Sequence, residues 1–444
     1  MIKDLTVGNP SKILISFSLP MFVSAVFQQL YNIADSIIAG RFAGEDALAA
    51  VGASYPVTMI FMAVAMGSNI GCSVVISQLF GSKDYDRVKT AVSTTIIASI
   101  VLSAFLTVLG LLGSSFIISA INTPENIFAD SKLYFDIYIA GFVFLFLYNV
   151  ANGVFTSLGD SKTPLFFLIA SSVGNIILDI IFVAVFKLGV AGVAWATFIA
   201  QGIACVLALI SLVIRINKLK TEKASVFFSL PMLYKITFIA IPSILQQSFI
   251  SVGNIFIQGL VNSFGSSVIA GYSAAVKLNT FALMSFTTLG NAMSTFTAQN
   301  IGAGKTDRVS KGLKSGIIFG FSIIVPFLFI FIVFGRQMLG LFLSAESVDA
   351  INCGVLFLRI VSPFYIAVSV KIITDGLLRG SGAMLAFTVS TFLDLILRVI
   401  LAYIFADITN SATGIWLSWP FGWTIAAVVT LFFYFKGGWK KGIV

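Results

Sequence analysis

Apolar runs of about twenty residues or more, separated by short polar connectors, recur from one end of this chain to the other. A helix rises 1.5 Å per residue, so roughly 20 apolar residues cross a hydrocarbon core about 30 Å thick. The 444 residues are 58% hydrophobic and only 10% charged, with a mean hydropathy of +1.03. Soluble domains carry about 25% charged residues. The chain is therefore read as an integral membrane protein with no soluble domain of any size. Its first run is long, holds Gln28, Gln29 and Asp35, and precedes many others, which marks a retained span rather than a cleaved leader.

Gly, Pro, Asn and charged residues punctuate the runs into twelve spans. Six fall near 13–40, 47–78, 88–113, 131–157, 163–186 and 190–214, and six near 231–262, 266–299, 309–334, 350–378, 383–405 and 413–435. The expected fold is all-α: twelve transmembrane helices in two pseudo-symmetric six-helix lobes around a central cleft. Residues 1–214 form the first lobe, 215–230 a cytoplasmic linker and 231–444 the second lobe. With both termini inside, the cytoplasmic connectors hold most of the Lys and Arg, and the opposite ones hold only Arg41, Lys132, Lys187 and Arg336. This asymmetry follows the positive-inside rule. It accounts for the net charge of +9 and the pI of 9.4 without a nucleic-acid partner.

The halves are related. QLFGSKDYDRV (78–88) aligns with QNIGAGKTDRV (299–309) at a displacement of 221, matching Gln78, Gly81, Asp86, Arg87 and Val88. Within one residue, the same displacement pairs Pro20 with Pro242, Asn32 with Asn254, Ala49 with Ala270, Gly159 with Gly380 and Gly192 with Gly414. An even number of spans per repeat gives both halves the same orientation, related by a pseudo-twofold axis along the membrane normal. That architecture suits an alternating-access carrier, and some channels share it.

A charged side chain at a helix centre costs about 2.5 to 3.5 kcal/mol on insertion scales, so each is a functional candidate. Eight fall in the runs: Asp35, Asp179, Lys277, Arg359, Lys371, Asp375, Asp394 and Arg398. Asn175 precedes Asp179 by one helical turn on the same face. Thr197 adds a hydroxyl in the next span, and Asn149 and Asn152 add amides in the fourth. Two carboxylates buried together cannot both stay charged without compensation, so this set suits a proton or a hard cation such as Na⁺. The competing reading makes each acid a hydrogen-bonded structural group. The repeat displacement carries Asp35 to Phe256 or Ile257 and Asp179 to Ile400, so a coupling site would belong to the first lobe alone.

In the second half, Lys371 with Asp375 and Asp394 with Arg398 stand four apart and read as structural ion pairs. Lys277 and Arg359 have no obvious partner and are candidates to line an aqueous cleft. Pro20 removes a helical hydrogen bond and is a candidate hinge. There is no histidine, and Cys72, Cys205 and Cys353 lack metal-ligand spacing. With no phosphate-binding loop either, neither an enzyme nor a cofactor is expected. An apolar cleft rich in Phe, of which the chain has 44, would suit amphipathic organic cations.

These motifs together resemble the multidrug and toxic compound extrusion (MATE) exporters, within the wider superfamily of polysaccharide and lipid flippases. The resemblance spans essentially the whole chain. It is carried by residues 19–52, by the paired connectors, by LGDSKTP (158–164), by GNIILDIIF (174–182) and by LRGSG (378–382). It implies antiport of H⁺ or Na⁺ against amphipathic, often cationic, compounds in a monomeric, multi-pass protein of the inner membrane. In the DinF-like branch it implies a first-lobe cation site at Asp35, Asn175, Asp179 and Thr197, supporting polar groups at Tyr134, Asn149 and Asn152, and a hinge at Pro20. The second-lobe acids of the NorM-like branch have no match in the seventh span, and Asp375 does not stand at the expected distance from the RG motif. A lipid-linked saccharide or lipid flippase is the alternative; it would want a strongly basic cleft, which Lys277, Arg359 and Lys371 keep open.

Overall fold

A computed structural model describes residues 2–121, 123–221, 226–344 and 346–442. Residues 222–225 of the expected linker lie outside the described residues. Among those described, the regular structure is helical throughout. Helix α1 (Pro10–Ile38) passes through Pro20 and ends in a π-helical turn, Ala39–Ala43. It is followed by α2 (Glu45–Gly81), α3 (Tyr85–Ala120), α4 (Glu125–Ala140) and α5 (Phe142–Ser157). Helix α6 (Lys162–Asp179) runs into a second π turn, Ile180–Val185, before α7 (Gly189–Asn217). The second half holds α8 (Leu230–Asn262), α9 (Ser266–Gly302), α10 (Thr306–Val333), a short α11 (Gly335–Leu339), α12 (Val348–Val361), α13 (Tyr365–Ser381), α14 (Met384–Thr409) and α15 (Ala412–Lys436).

Among the described residues, ten helical segments are each long and apolar enough to cross a membrane, and α4 with α5, bent by 48°, makes an eleventh if the pair is one span. The twelfth expected span is α9, which has the length, at 37 residues, but is less apolar than the rest. Side chains such as Leu112 (82% exposed) and Phe435 (78% exposed) face outward, as they would toward lipid rather than water. The break between α4 and α5 falls at Gly141, where a Cβ would press on the Phe198 ring at 2.9 Å. A 3₁₀ turn at Ser362–Phe364, containing Pro363, separates α12 from α13.

Two compact units result. One is built mainly from Val23–Ser248, the other from Leu5–Phe22 and the chain from Phe249 onward. Within the first unit the start of α8 packs closely on α2: a Cβ on Gly71 would meet the Ile236 carbonyl oxygen at 2.8 Å and Ala240 Cβ at 2.7 Å. Asp160 anchors the start of α6, accepting from Lys162 N–H (3.2 Å) and Thr163 N–H (3.1 Å). It also forms an ion pair with Arg215 of α7.

Within the second unit, Leu5 N–H donates to Gln299 Oε1 at 2.9 Å, which ties the chain's beginning to α9. The core is aromatic: Tyr272 stacks on Trp416 at 5.0 Å, and Phe357 meets the edge of Trp416 at 5.3 Å. Helices α9 and α13 approach through small residues, since a Cβ on Gly376 would collide with the Gly290 carbonyl oxygen and one on Gly380 with that of Ser294. Gly376→Val should therefore cost about 1–3 kcal/mol through overpacking. The check is a lower melting temperature of the purified protein, with Gly259→Ala, whose Cβ meets nothing within 4 Å, as the control for a helical glycine outside the contact.

Candidate cation-binding site

Three elements of the first unit bring the acids together. On α1, Tyr31 and Asp35 are one turn apart; on α6, Asn175 and Asp179 are likewise; α7 adds Thr197. The carboxyl groups of Asp35 and Asp179 are hydrogen-bonded to each other. Ionised carboxylates only accept, so this contact requires a proton or a cation between the two groups. Asp179 is fully buried, Asn175 nearly so, and Asp35 partly. Oδ1 of each acid meets no hydrogen-bond donor. No basic side chain is paired with either acid among the described residues.

The partners of Asn175 set the orientation of its amide. With Nδ2 toward the acid, it donates to Asp179 Oδ2 at 2.7 Å and to the Tyr31 hydroxyl at 3.2 Å, while Oδ1 accepts from Thr197 N–H at 3.1 Å. The opposite orientation leaves only a 3.4 Å contact from Nδ2 to Thr197 Oγ1 and turns the amide oxygen toward acceptors. The first arrangement satisfies the buried groups. The Tyr31 hydroxyl is further hydrogen-bonded with Thr197. Three oxygen-bearing side chains, Tyr31, Asn175 and Thr197, thus surround the acid pair, a donor set that fits a proton or a hard monovalent cation.

Both acids lie beside π-helical turns. Asp179 is the last α-helical residue before Ile180–Val185, and Asp35 precedes Ala39–Ala43 by one turn. The two turns pack against each other through Ala43 and Val183, with Val193 and Tyr134 completing a small apolar cluster. A wide turn leaves part of the helical hydrogen-bond ladder out of register, a device common at functional sites. Tyr134 stands close enough to feel both acids, and with Tyr138, Thr197 and Gln201 it lines a crevice that admits a water-sized molecule.

The expected amides of α5 are not hydrogen-bonded to the acids. Asn149 Nδ2 donates to the Leu145 carbonyl within its own helix at 2.9 Å, and Asn152 Oδ1 meets no donor. Tyr31 escaped the sequence reading although its spacing of four from Asp35 signals a shared face. The π turns left no signal in residue type. Removing the hydroxyl in Tyr31→Phe should weaken the apparent ion dependence of transport several-fold while leaving expression unchanged, because Asn175 and Thr197 still hold Asp179.

The second-half charges arrange differently from expectation. Lys371 pairs with Asp375 at 3.0 Å as the spacing predicts, but Asp394 does not pair with Arg398. Lys371 reaches across from α13 and takes Asp394 at 3.4 Å, while the Arg398 guanidinium lies 4.7 Å over the Trp419 ring. A neighbouring helix supplied a nearer cation than the residue one turn away. Lys277 and Arg359 are both exposed, Lys277 over the ring of Phe342 at 5.8 Å.

A duplicated bundle of membrane-length helices with a buried acid pair free of basic partners defines the class as a multi-pass membrane carrier. The chain belongs to the MatE family, whose model matches twice, at residues 20–181 and 242–404. The starting residues differ by 222 (242 − 20), within one residue of the displacement of 221 that relates the paired connectors. It is 29% identical over 446 residues to a probable multidrug resistance protein, YpnP, of Bacillus subtilis, covering 98% of this chain and 97% of that one. Over 312 residues, 69% of each chain, it is 25% identical to a FAD transporter of Shewanella oneidensis. Among solved structures it superposes on a MATE protein in the straight conformation with a TM-score of 0.89 at 24% identity, over 97% of this chain and 96% of that one. A MOP superfamily transporter from Pyrococcus furiosus gives the same TM-score at 23% identity, over 99% and 98% of the two chains.

Proposed function

We propose that the chain is a cation-coupled exporter of amphipathic, often cationic, organic compounds, driven by H⁺ or Na⁺ entering at Asp35 and Asp179. The observation that carries this reading is the buried acid pair that no basic side chain neutralises: it must hold a proton or a cation whenever it is buried. The relative named as a multidrug resistance protein supports the substrate class. Of the three basic residues that kept the flippase reading open, Lys371 is engaged by two carboxylates, which weighs against that reading.

In the proposed cycle the ion shields the two acids and lets Tyr31, Asn175 and Thr197 close around them. Losing it leaves the pair repelling and the first unit repacks. Pro20 lacks a backbone donor, and the compact units divide α1 two residues beyond it, between Phe22 and Val23. A bend there would transmit the change along α1. The protein works as a monomer in the inner membrane, with both termini cytoplasmic and no nucleic-acid partner.

The reading is tested in proteoliposomes loaded with a fluorescent cationic dye, under Na⁺ and H⁺ gradients imposed separately. One gradient should drive dye against the direction of ion flow and so identify the ion. No dye movement under either would reject the assignment.

A further inference from the structure

Asp375 and Asp394 of the second unit are buried, 5% and 7% exposed, and converge on the equally buried Nζ of Lys371. They stand on α13 and α14, which with α15 are the repeat counterparts of α5, α6 and α7; Gly159 matches Gly380 and Gly192 matches Gly414. The equivalent helices of the first unit carry Asn175, Asp179 and Thr197. Each unit therefore holds a buried carboxylate pair with one member on corresponding helices, Asp179 on α6 and Asp394 on α14, but among the described residues only the second pair holds a cation of its own. We propose that the Lys371 ammonium is a tethered cation filling a monovalent-cation site in the second unit, so that removing the lysine opens that site to a free ion such as Na⁺.

The surrounding atoms are those of an ion site rather than of a simple pair. Ser390 Oγ donates to Asp375 Oδ1 at 2.6 Å, and Thr430 Oγ1 lies 3.0 Å from the same oxygen and 2.7 Å from Ser390 Oγ. This fixes Asp375 with Oδ2 turned to the ammonium. On the other side Asp394 presents Oδ2 to the ammonium, while its Oδ1, buried, meets no donor. Carboxylate oxygens are hard donors of the kind alkali ions take, and the two hydroxyls hold Asp375 in place behind its ammonium-facing oxygen. The remaining cations nearby are engaged elsewhere: Arg398 lies over Trp419, and Arg379 donates to Asn291 Oδ1 at 2.6 Å and stacks over Phe387. Neither guanidinium is ion-paired to the two acids among the described residues. A covalently tethered charge cannot be exchanged across the membrane, so the second unit adds no ion to the transport cycle.

The test uses the full chain carrying Asp35→Asn and Asp179→Asn, so its outcome does not depend on the first-unit site. In this background, binding of radioactive ²²Na⁺ and the melting temperature in NaCl against choline chloride are measured with and without Lys371→Ala. The expected result is no saturable Na⁺ binding with Lys371 present. Lys371→Ala should bind saturably and melt at a higher temperature in NaCl than in choline chloride. Adding Asp394→Asn should weaken that binding at least tenfold, and Lys371→Arg should keep the site closed. If Lys371→Ala folds only when purified in NaCl, that too supports the proposal. A folded Lys371→Ala protein without Na⁺ binding overturns it, as does aggregation in both salts while Lys371→Arg folds.

Discussion

Asp179→Asn should reduce gradient-driven dye transport to the level of protein-free liposomes while the protein still folds and still binds dye. The change keeps the shape and polarity of the side chain, so Asn175 retains a partner in place of Asp179 Oδ2. It removes the charge that a coupling ion must neutralise, leaving Asp35 with no second carboxylate to share a proton. The full disconnection of transport from the gradient, with an unchanged melting temperature, distinguishes a coupling group from a structural one. Dye binding is read by quenching at equilibrium. If Asp179→Asn transports at the wild-type rate, the acid is a structural hydrogen-bonding group and the coupling site lies elsewhere.

The largest effect on stability is expected at Asp160, in the connector before α6, at the opposite end of that helix from Asp179. Its carboxylate caps α6 through two backbone N–H groups, accepts from the Thr163 hydroxyl at 2.9 Å and pairs with Arg215. Removing one member of a buried pair typically costs about 3–5 kcal/mol, because the partner charge is left uncompensated. The Arg215 side chain keeps about a quarter of its surface exposed (24%), so water repays part of that loss. Asp160→Ala should therefore cost about 3 kcal/mol, near the lower bound. Asp160→Asn should cost less, since an amide oxygen can still cap the helix. Thermal unfolding monitored by size-exclusion chromatography separates the two; equal melting temperatures for wild type and Asp160→Ala would remove the ion pair from the stability argument.

Helix count and the internal repeat were legible because hydropathy and the spacing of Gly, Pro and charge record them directly. The four first-unit residues Asp35, Asn175, Asp179 and Thr197 were legible for a similar reason: isolated polar groups in apolar runs cannot be accidents of composition. Their meeting in one cluster could not be read off, because it depends on how α1, α6 and α7 pack. Tyr31 hides among aromatic residues that serve as core elsewhere, and only its spacing from Asp35 sets it apart. The π turns after Ile38 and Asp179 leave no trace in residue type, since the backbone register and not the side chain defines them. Asp394 shows the limit of spacing rules most clearly. A partner one turn away on its own helix lost to Lys371 from another helix, because tertiary packing decides which cation is nearer.

In the proposed antiport the organic substrate leaves as the ion enters at the Asp35 and Asp179 pair. The most direct measurement drives the reaction backward: an imposed dye gradient alone, across proteoliposomes holding a pH-sensitive or Na⁺-sensitive reporter in the lumen. Dye flowing down its gradient should move H⁺ or Na⁺ the opposite way, and the ion movement should vanish in Asp35→Asn and Asp179→Asn. Dye movement without ion movement in the wild type, or ion movement that survives in both variants, would contradict antiport through these acids.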